Sequence, residues 1–417
     1  MDFDYDVVIA GGGMVGASLA LALSRASAAT IKILVVESFP LPPASSAGPV
    51  YRPSFDARST ALSYGSRSIL EQLQLWPALA EHACAIDTIH VSEKGRLGSA
   101  LMDAAAMSWP SLGYVIENAW LGNVLLSALR EQANVEFCCP ASVKKISHQA
   151  QGVSIDIDAV ADEPRKVSAQ LVVVADGAQS ALRKQLGIEA TVDDYQQTAL
   201  IANVCFSKAH QGVAFERFTD TGPMALLPLA DSDRGEPRAA LVWTNDHEQA
   251  AQLCIDDEIV FLQKLQQCFG HRLGQFTRVG ERVSYPLMLT EAQEQFRSSV
   301  VVMGNAAHSL HPVAGQGFNL ALRDCARLAE LLAAAKKAGS GLGELTLLQQ
   351  YFSRQADDQY KTVAFSDQLT RVFSLGQPVP LLRSLGLVTM DSSPPLKQYF
   401  VRRAAGMHDG AAIGMQL

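Results

Sequence analysis

A chain of 417 residues that is 48% hydrophobic and 18% charged has room for two or three domains at roughly 100–200 residues each, and its composition excludes a disordered protein. A formal net charge of −8, from 34 basic and 42 acidic residues, argues against non-specific nucleic-acid binding, which needs a basic surface. Seven scattered cysteines (84, 138, 139, 205, 254, 268, 325) without a Cys-x-x-Cys or Cys/His cluster point to reduced thiols in a cytoplasmic protein with no metal site. No stretch approaches the ~18 apolar residues of a membrane span, and Met1-Asp2-Phe3-Asp4 lacks the charged segment and apolar core of a secretory signal. A soluble or membrane-peripheral protein is expected.

The first element is the most informative. Tyr5 to Ala10 is a β-branched run. It leads into Gly11-Gly12-Gly13-Met14-Val15-Gly16, a helical pattern from Ala17 to Leu23, and a second apolar run, Ile31 to Val36, ending in Glu37. This is the strand, Gly-x-Gly-x-x-Gly turn, helix, strand and acid of a dinucleotide site. Gly11 permits the tight turn, Gly13 lets the backbone approach a pyrophosphate, and Gly16 lets the helix pack on the strand. The first helical N–H groups face the phosphates, and Glu37 is placed for a ribose hydroxyl.

Residues 40–53, rich in Pro, Ser, Ala and Gly, read as a loop. Asp56 to Leu62 opens a helical pattern that continues through Leu70, Leu73 and Leu75 and ends near Trp76-Pro77. Ile89 to Val91, Val135 to Cys138, Val143 to Ile146 and the alternating Val153 to Ile157 read as strands, and Glu117 to Arg130 contains a helix. Leu171 to Ala175 reads as a buried strand of a parallel sheet. It runs into Asp176-Gly177, where the carboxylate is either a ligand at a strand end or a helix cap. From Thr198 to Trp243 strand follows strand, which suggests an antiparallel sheet. A helix over Asp256 to Phe269 and a strand over Val283 to Leu287 follow.

Ser299 to Met303 is another buried strand. After it come Gly304, which allows a close approach, and Asn305, which can donate to and accept from sugar hydroxyls. Gly315 and Gly317 open a long helix to Ala335, whose first N–H groups could stabilise negative charge on a ligand. His308 and His311 are either functional or satisfied structural histidines. Gly339 to Gly343 is a linker, and the remainder is helical.

Three ordered motifs now stand on the chain: the Gly11/Gly13/Gly16 turn with Glu37, Asp176-Gly177, and the stretch Gly304 to Asn319. Over about residues 5–340 they resemble the FAD-dependent aromatic hydroxylases, or class A flavoprotein monooxygenases. Three further segments resemble the ubiquinone-biosynthesis hydroxylases within that class: Phe55-Asp56-Ala57-Arg58-Ser59-Thr60-Ala61-Leu62, Phe215-Glu216-Arg217-Phe218-Thr219 on to Leu229, and His311-Pro312-Val313-Ala314-Gly315-Gln316-Gly317-Phe318-Asn319. One departure is Gly304-Asn305 where the family has Gly-Asp, which keeps the hydrogen bonding and loses a charge.

The resemblance implies an α/β chain: a Rossmann-like FAD-binding fold with an inserted antiparallel-sheet substrate domain and a helical C-terminal region. The expected FAD-binding domain is discontinuous (1–75, 103–183, 281–340). The expected substrate domain is 76–102 and 184–280, and the C-terminal region 341–417. The implied reaction is hydroxylation of a polyprenylated phenol with NAD(P)H and O₂ through a flavin C4a-hydroperoxide, the cofactor carrying the chemistry and no side chain acting as nucleophile.

Implied cofactor contacts are Gly11, Gly13, Met14, Gly16, Glu37, Arg58, Asp176, Gly304, Asn305, Gly315, Gly317 and Asn319, with Pro312, Gly317 and Phe318 near the ring. Arg58 reaches the flavin or its phosphates, or is a surface arginine. An apolar substrate pocket is expected from Phe215, Phe218, Leu226 and Trp243, each with a plain core role as its alternative. No second glycine fingerprint serves NAD(P)H, and no Trp-x-Trp-x-Ile-Pro run marks a flavin halogenase. Residues 361–417 carry six basic and three acidic residues (6 − 3 = +3). They suggest peripheral contact with the inner membrane, contact with other ubiquinone-biosynthesis proteins, or a packing domain. Alternatives to the polyprenyl reading are a hydroxylase of a small soluble aromatic and a flavin-poor scaffolding subunit.

Overall fold

In the computed structural model, which describes residues 2–41, 58–96, 98–159, 163–311, 315–374 and 389–405, five parallel strands form the centre of the first sheet. Their order is Val300–Val302, Arg165–Val174, Tyr5–Ala10, Ile33–Val36, Val135–Cys138. Ile33–Val36, Val300–Val302 and the Leu171–Val174 end of Arg165–Val174 are continuous buried apolar runs because both faces are covered there, whereas the edge strand Val135–Cys138 carries the exposed Glu136. Val7 and Ile9 face the helices Met14–Ala26, Asn118–Arg130 and Gln316–Lys337. Val8 and Ala10 face the other way, toward an antiparallel meander of Ala141–His148, Val153–Ala159 and the N-terminal half of Arg165–Val174.

The second sheet has nine strands. Eight run in the order His308–Ser309, Val283–Ala292, Ala190–Phe206, Arg238–Asn245, Pro223–Leu229, Val213–Phe218, Thr88–Glu93, Ser99–Asp103, and Phe276–Val279 pairs with Ala190–Phe206. All its pairs are antiparallel except Val213–Phe218 with Thr88–Glu93, which is parallel. A third, small sheet pairs Gly113–Glu117 with Ser59–Ser63 and Cys84–Ile86.

The structure corrects three expectations. Ser59 to Leu62 is strand, not helix. It pairs antiparallel with Gly113–Glu117, and the helix starts only at Tyr64, where Ser63 Oγ accepts from Ser66 N–H at 3.2 Å. The remainder of that expected helical start, Asp56-Ala57, lies outside the described residues. Val283–Ala292, placed by the sequence in the returning part of the FAD-binding domain, pairs along Ala190–Phe206 in the second sheet. The antiparallel insert therefore extends past residue 280. Likewise Cys84–Ile86 and Gly113–Glu117, expected in different domains, share one sheet.

Buried charge pairs fasten these layers. Arg238, fully buried, meets Glu117 at 2.8 Å and so joins the second sheet to the third. Arg323 makes a two-pronged contact with Asp358 (2.8 and 3.1 Å), and Arg327 approaches the same carboxylate at 3.1 Å. These pairs hold the helix Leu345–Ser374 on Gln316–Lys337. Among the described residues no helix is long and apolar enough to cross a membrane.

Removing one member of a buried pair strands the other charge. Glu117→Leu is expected to lower stability by about 3–5 kcal/mol, read as the urea midpoint, and Glu117→Leu with Arg238→Leu should recover most of the loss. An unchanged midpoint in Glu117→Leu would show that the pair does not matter to the fold.

Candidate active site

The glycine turn is built as the sequence requires. Gly11 has φ +109°, and a Cβ there would strike the Ala175 carbonyl oxygen. A Cβ on Gly16 would strike the Gly11 carbonyl oxygen, so the first helix packs on the first strand through the absence of both side chains. A Cβ on Gly13 would meet nothing within 4 Å. Gly13 is the N-cap of Met14–Ala26 and supplies no side-chain cap, leaving the first-turn N–H groups directed at open space. Met14 is half-buried at that start. Glu37 stands beside the turn, where Oε2 accepts from Gly12 N–H at 2.7 Å and Oε1 from Phe39 N–H at 2.8 Å.

The end of the strand Val300–Val302 delivers the third motif. Gly304 has φ +60° and lies against Val15 of the first helix, and Asn305 is exposed next to it. Gly315, left-handed at φ +59°, is the N-cap of Gln316–Lys337. A Cβ on Gly317 would meet nothing within 4 Å. Asn319 is buried and wholly engaged: its Oδ1 accepts from Ser63 N–H at 2.9 Å, and its Nδ2 donates to the Ala61 and Gly315 carbonyls at 2.9 and 2.7 Å. Its side chain ties the helix start to the Ser59–Ser63 strand. Pro312, expected near the ring, lies outside the described residues.

Asn305, Gly315, Gly317, Phe318 and Asn319 all border one cavity of about 430 Å³. Its opposite wall is the second sheet, and the period-2 alternation of strands decides which side chains reach it. Ala225 and Val242 do; Leu226 and Trp243, each one residue on, do not. Those two turn to the far face and pack in a separate core with Phe261 and Leu265, which corrects their assignment to the substrate pocket. Phe218 lines the cavity. Phe215 borders it, but its ring packs on the far face against His90 and Phe269 (centroids 5.7 and 5.4 Å).

The sequence did not single out several lining residues. Met390, Phe400, Val401, Ala404 and Ala405 bring the C-terminal segment, with its helix Pro394–Ala404, over the cavity. Glu216 and His311 are the ionisable groups among the described lining residues, and there is no Lys or Arg among them. The sequence signals for Glu216 are its place in the Phe215–Leu229 segment that carries the resemblance and its position between Ala214 and Phe218 on an alternating strand.

Over 96% of this chain and 89% of its relative's, the sequence is 34% identical to ubiquinone hydroxylase UbiL of Rhodospirillum rubrum. It is 28% identical to the 3-demethoxyubiquinol 3-hydroxylase of Escherichia coli over 96% and 98%. Residues 4–366 match the model of the FAD binding domain family. The chain belongs to this family of FAD-dependent ubiquinone-biosynthesis hydroxylases. The fold is that of p-nitrophenol 4-monooxygenase PnpA from Pseudomonas putida, with a TM-score of 0.78 at 21% identity, covering 98% and 99% of the two chains.

FAD is thus the cofactor of this hydroxylase family member, NAD(P)H is the reductant typical of the class, and the residues present fit an extended dinucleotide. The open approaches at Gly13 and Gly317 lie at the two helix starts, and Glu37 and Asn305 offer polar groups beside them. Asp176 Oδ2 accepts from Leu182 N–H at 3.2 Å, in the first turn of Ala181–Gln185, whose N-cap is Ser180. Arg58 is exposed at the start of the Ser59–Ser63 strand and is not among the cavity-lining residues.

The histidines are buried. His308 Nε2 is 3.0 Å from Asp324 Oδ2, which also accepts from Gln359 Nε2 at 3.0 Å. His311 meets the Tyr195 ring edge-on at 5.2 Å. Burial pushes its pKa down to about 4, partly opposed by the Asp367 carboxylate.

Two outcomes are expected. Gly13→Ala should keep the unfolding midpoint of the flavin-free protein but weaken FAD retention by about tenfold or more, about 1.4 kcal/mol, whereas Gly16→Ala should lower that midpoint. Flavin content after gel filtration and thermal melts read both, and full flavin retention in Gly13→Ala would contradict the placement. For His311, the unfolded side chain binds a proton below about 6.5 and the folded one only near 4. Stability is therefore full above that ordinary value and falls as pH drops toward 4. Between pH 7.5 and 5, His311→Phe should lose about 2 kcal/mol less than the wild type in urea melts; parallel losses would contradict a neutral buried imidazole.

Proposed function

We propose that the protein hydroxylates the aromatic ring of a polyprenylated phenol in ubiquinone biosynthesis, as a 2-polyprenyl-6-methoxyphenol hydroxylase. The observation that carries this reading is the cavity. It has an apolar wall from the second sheet, and it reaches the Gly315–Asn319 helix start where a flavin ring would be held. Its ~430 Å³ falls within the range of small-molecule sites and suits a substituted ring better than a whole polyprenyl chain. The tail would leave past the C-terminal helix.

In this reading the N–H groups at Gly13, Met14 and Val15 hold the pyrophosphate, with Gly11 and Gly16 shaping the turn. Glu37 holds the adenosine ribose. Asn305, Gly304 and Asp176 face the ribityl side, Arg58 reaches the flavin or its phosphates, and Gly315, Gly317, Phe318, Asn319 and Pro312 flank the ring. The uncharged Asn305 contributes hydrogen bonding without the charge that the family's Asp carries. The chemistry that bound flavin supplies is activation of O₂ after reduction by NAD(P)H. The chain's own part is orientation and water exclusion: Asn319 fixes the cavity floor to the helix start, and Phe400 and Val401 cover the opening.

The membrane is the proposed source of the lipid substrate. Leu396 and Tyr399, 44% and 61% exposed, lie on the Pro394–Ala404 helix with exposed Arg402, and the +3 balance of residues 361–417 favours an anionic surface. Contact of this face with other ubiquinone-biosynthesis proteins is the competing occupant. Leu396→Glu with Tyr399→Glu is expected to reduce flotation with anionic vesicles; unchanged flotation would remove the membrane from the account.

The function itself is tested by deleting the gene and identifying the quinone precursor that accumulates. A prenylated methoxyphenol lacking one ring hydroxyl supports the assignment. Another prenyl phenol moves the protein to a neighbouring branch, and an unaltered quinone pool contradicts the reading.

A further inference from the structure

Across the second sheet, paired residues form a row on the cavity face: Ile201, Val242, Ala225, Glu216, Val91, Ala100. Five are apolar and the fourth is a carboxylic acid. The neighbouring cation does not answer it. Arg217 points to the opposite face, where its Nε donates to the Cys268 carbonyl at 3.1 Å and its Nη1 to Ser92 Oγ at 3.4 Å. Among the described residues nothing hydrogen-bonds or pairs with the Glu216 side chain, and the cavity lining holds no Lys or Arg. Glu216 is half-buried and faces the cavity, so its carboxyl is met by whatever occupies that cavity, and an aliphatic side chain would continue the row better.

We infer that Glu216 is the positioning residue that holds the oxygen-bearing end of a neutral phenol in this cavity. This rests on the hydroxylase reading above and names the contact that reading lacks. Burial raises the Glu216 pKa to about 8, so at neutral pH the group is mainly an uncharged acid, with an O–H to donate and a carbonyl oxygen to accept. A phenol with a second oxygen on the adjacent carbon offers the matching acceptor and donor. An aromatic carboxylate does not suit the site, because it would lose its hydration with no cation among the described lining residues to replace it.

The test uses the full-length, FAD-loaded protein and two probes, a 2-methoxy-6-alkylphenol and its O-methylated analogue. Binding is followed by flavin absorbance, and turnover as hydroxylated product formed per NAD(P)H consumed. Glu216→Leu is expected to bind the phenol at least about tenfold more weakly and to form less product per NAD(P)H, with an unfolding midpoint no lower than that of the wild type. Glu216→Gln, which keeps a donor and an acceptor without charge, should recover most of both losses. The O-methylated probe should bind the wild type and Glu216→Leu alike. Unchanged phenol binding and coupling in Glu216→Leu, or a Glu216→Gln defect as large as that of Glu216→Leu, would overturn the inference. If the wild type itself neither binds nor hydroxylates the phenol, the hydroxylase reading fails first; if it does both and Glu216→Leu matches it, only the role of Glu216 fails.

Discussion

The first helix can begin where it does only because residue 16 has no side chain. A Cβ there would come within 1.9 Å of the Gly11 carbonyl oxygen, and one on Gly11 within 2.4 Å of the Ala175 carbonyl oxygen. Strand, turn and helix are thereby locked together with the neighbouring parallel strand. Everything else takes its bearings from that contact. The helix Gln316–Lys337 packs on Met14–Ala26, and Gly304 closes onto Val15. Two helix starts, at Gly13 and Gly315, are so presented on one side of the first sheet, where ligands of open α/β sheets bind.

The second sheet solves a different problem: it must wall an apolar cavity without collapsing into it. Its far face is filled by the aromatic cluster around Phe206, Trp243, Phe261 and Phe269. Its cavity face carries mostly aliphatic side chains, such as Ile201, Val242, Ala225 and Val91, with Phe218 among them. The strong charges are placed between layers, at Arg238–Glu117 and Arg323–Asp358, where each has a partner. Among the described residues, one carboxyl in the cavity wall, that of Glu216, is left unanswered. Such a group gains its partner when a ligand arrives, an arrangement common at functional sites.

The parts of the fold that local chemistry dictates were legible in the sequence. Glycines that admit no Cβ marked the turn, and apolar runs marked the parallel strands. The order of the three motifs pointed to the family. The parts decided by distant partners were not legible. Ser59–Ser63 looks helical until Gly113–Glu117 is beside it. Val283–Ala292 is drawn into the second sheet by the long strand Ala190–Phe206, whose extension back from Thr198 to Ala190 no local pattern announces. Leu226 and Trp243 have the right residue type for a pocket but the wrong parity, and parity is fixed by register rather than composition. The place of Phe400 and Val401 in the cavity lining depends on contacts with strands more than 150 residues earlier in the chain. Glu216 lay inside a quoted motif, yet its isolation from Arg217 appears only once alternation sends the two side chains to opposite faces.

The central claim is that this cavity presents a neutral, apolar phenol to flavin-activated oxygen. Its most direct measurement is turnover of the FAD-loaded protein with an alkylated methoxyphenol and NAD(P)H under ¹⁸O₂, followed by mass spectrometry of the product. The account predicts one ¹⁸O atom in a new ring hydroxyl. Oxidation of NAD(P)H with no label in the phenol would contradict it.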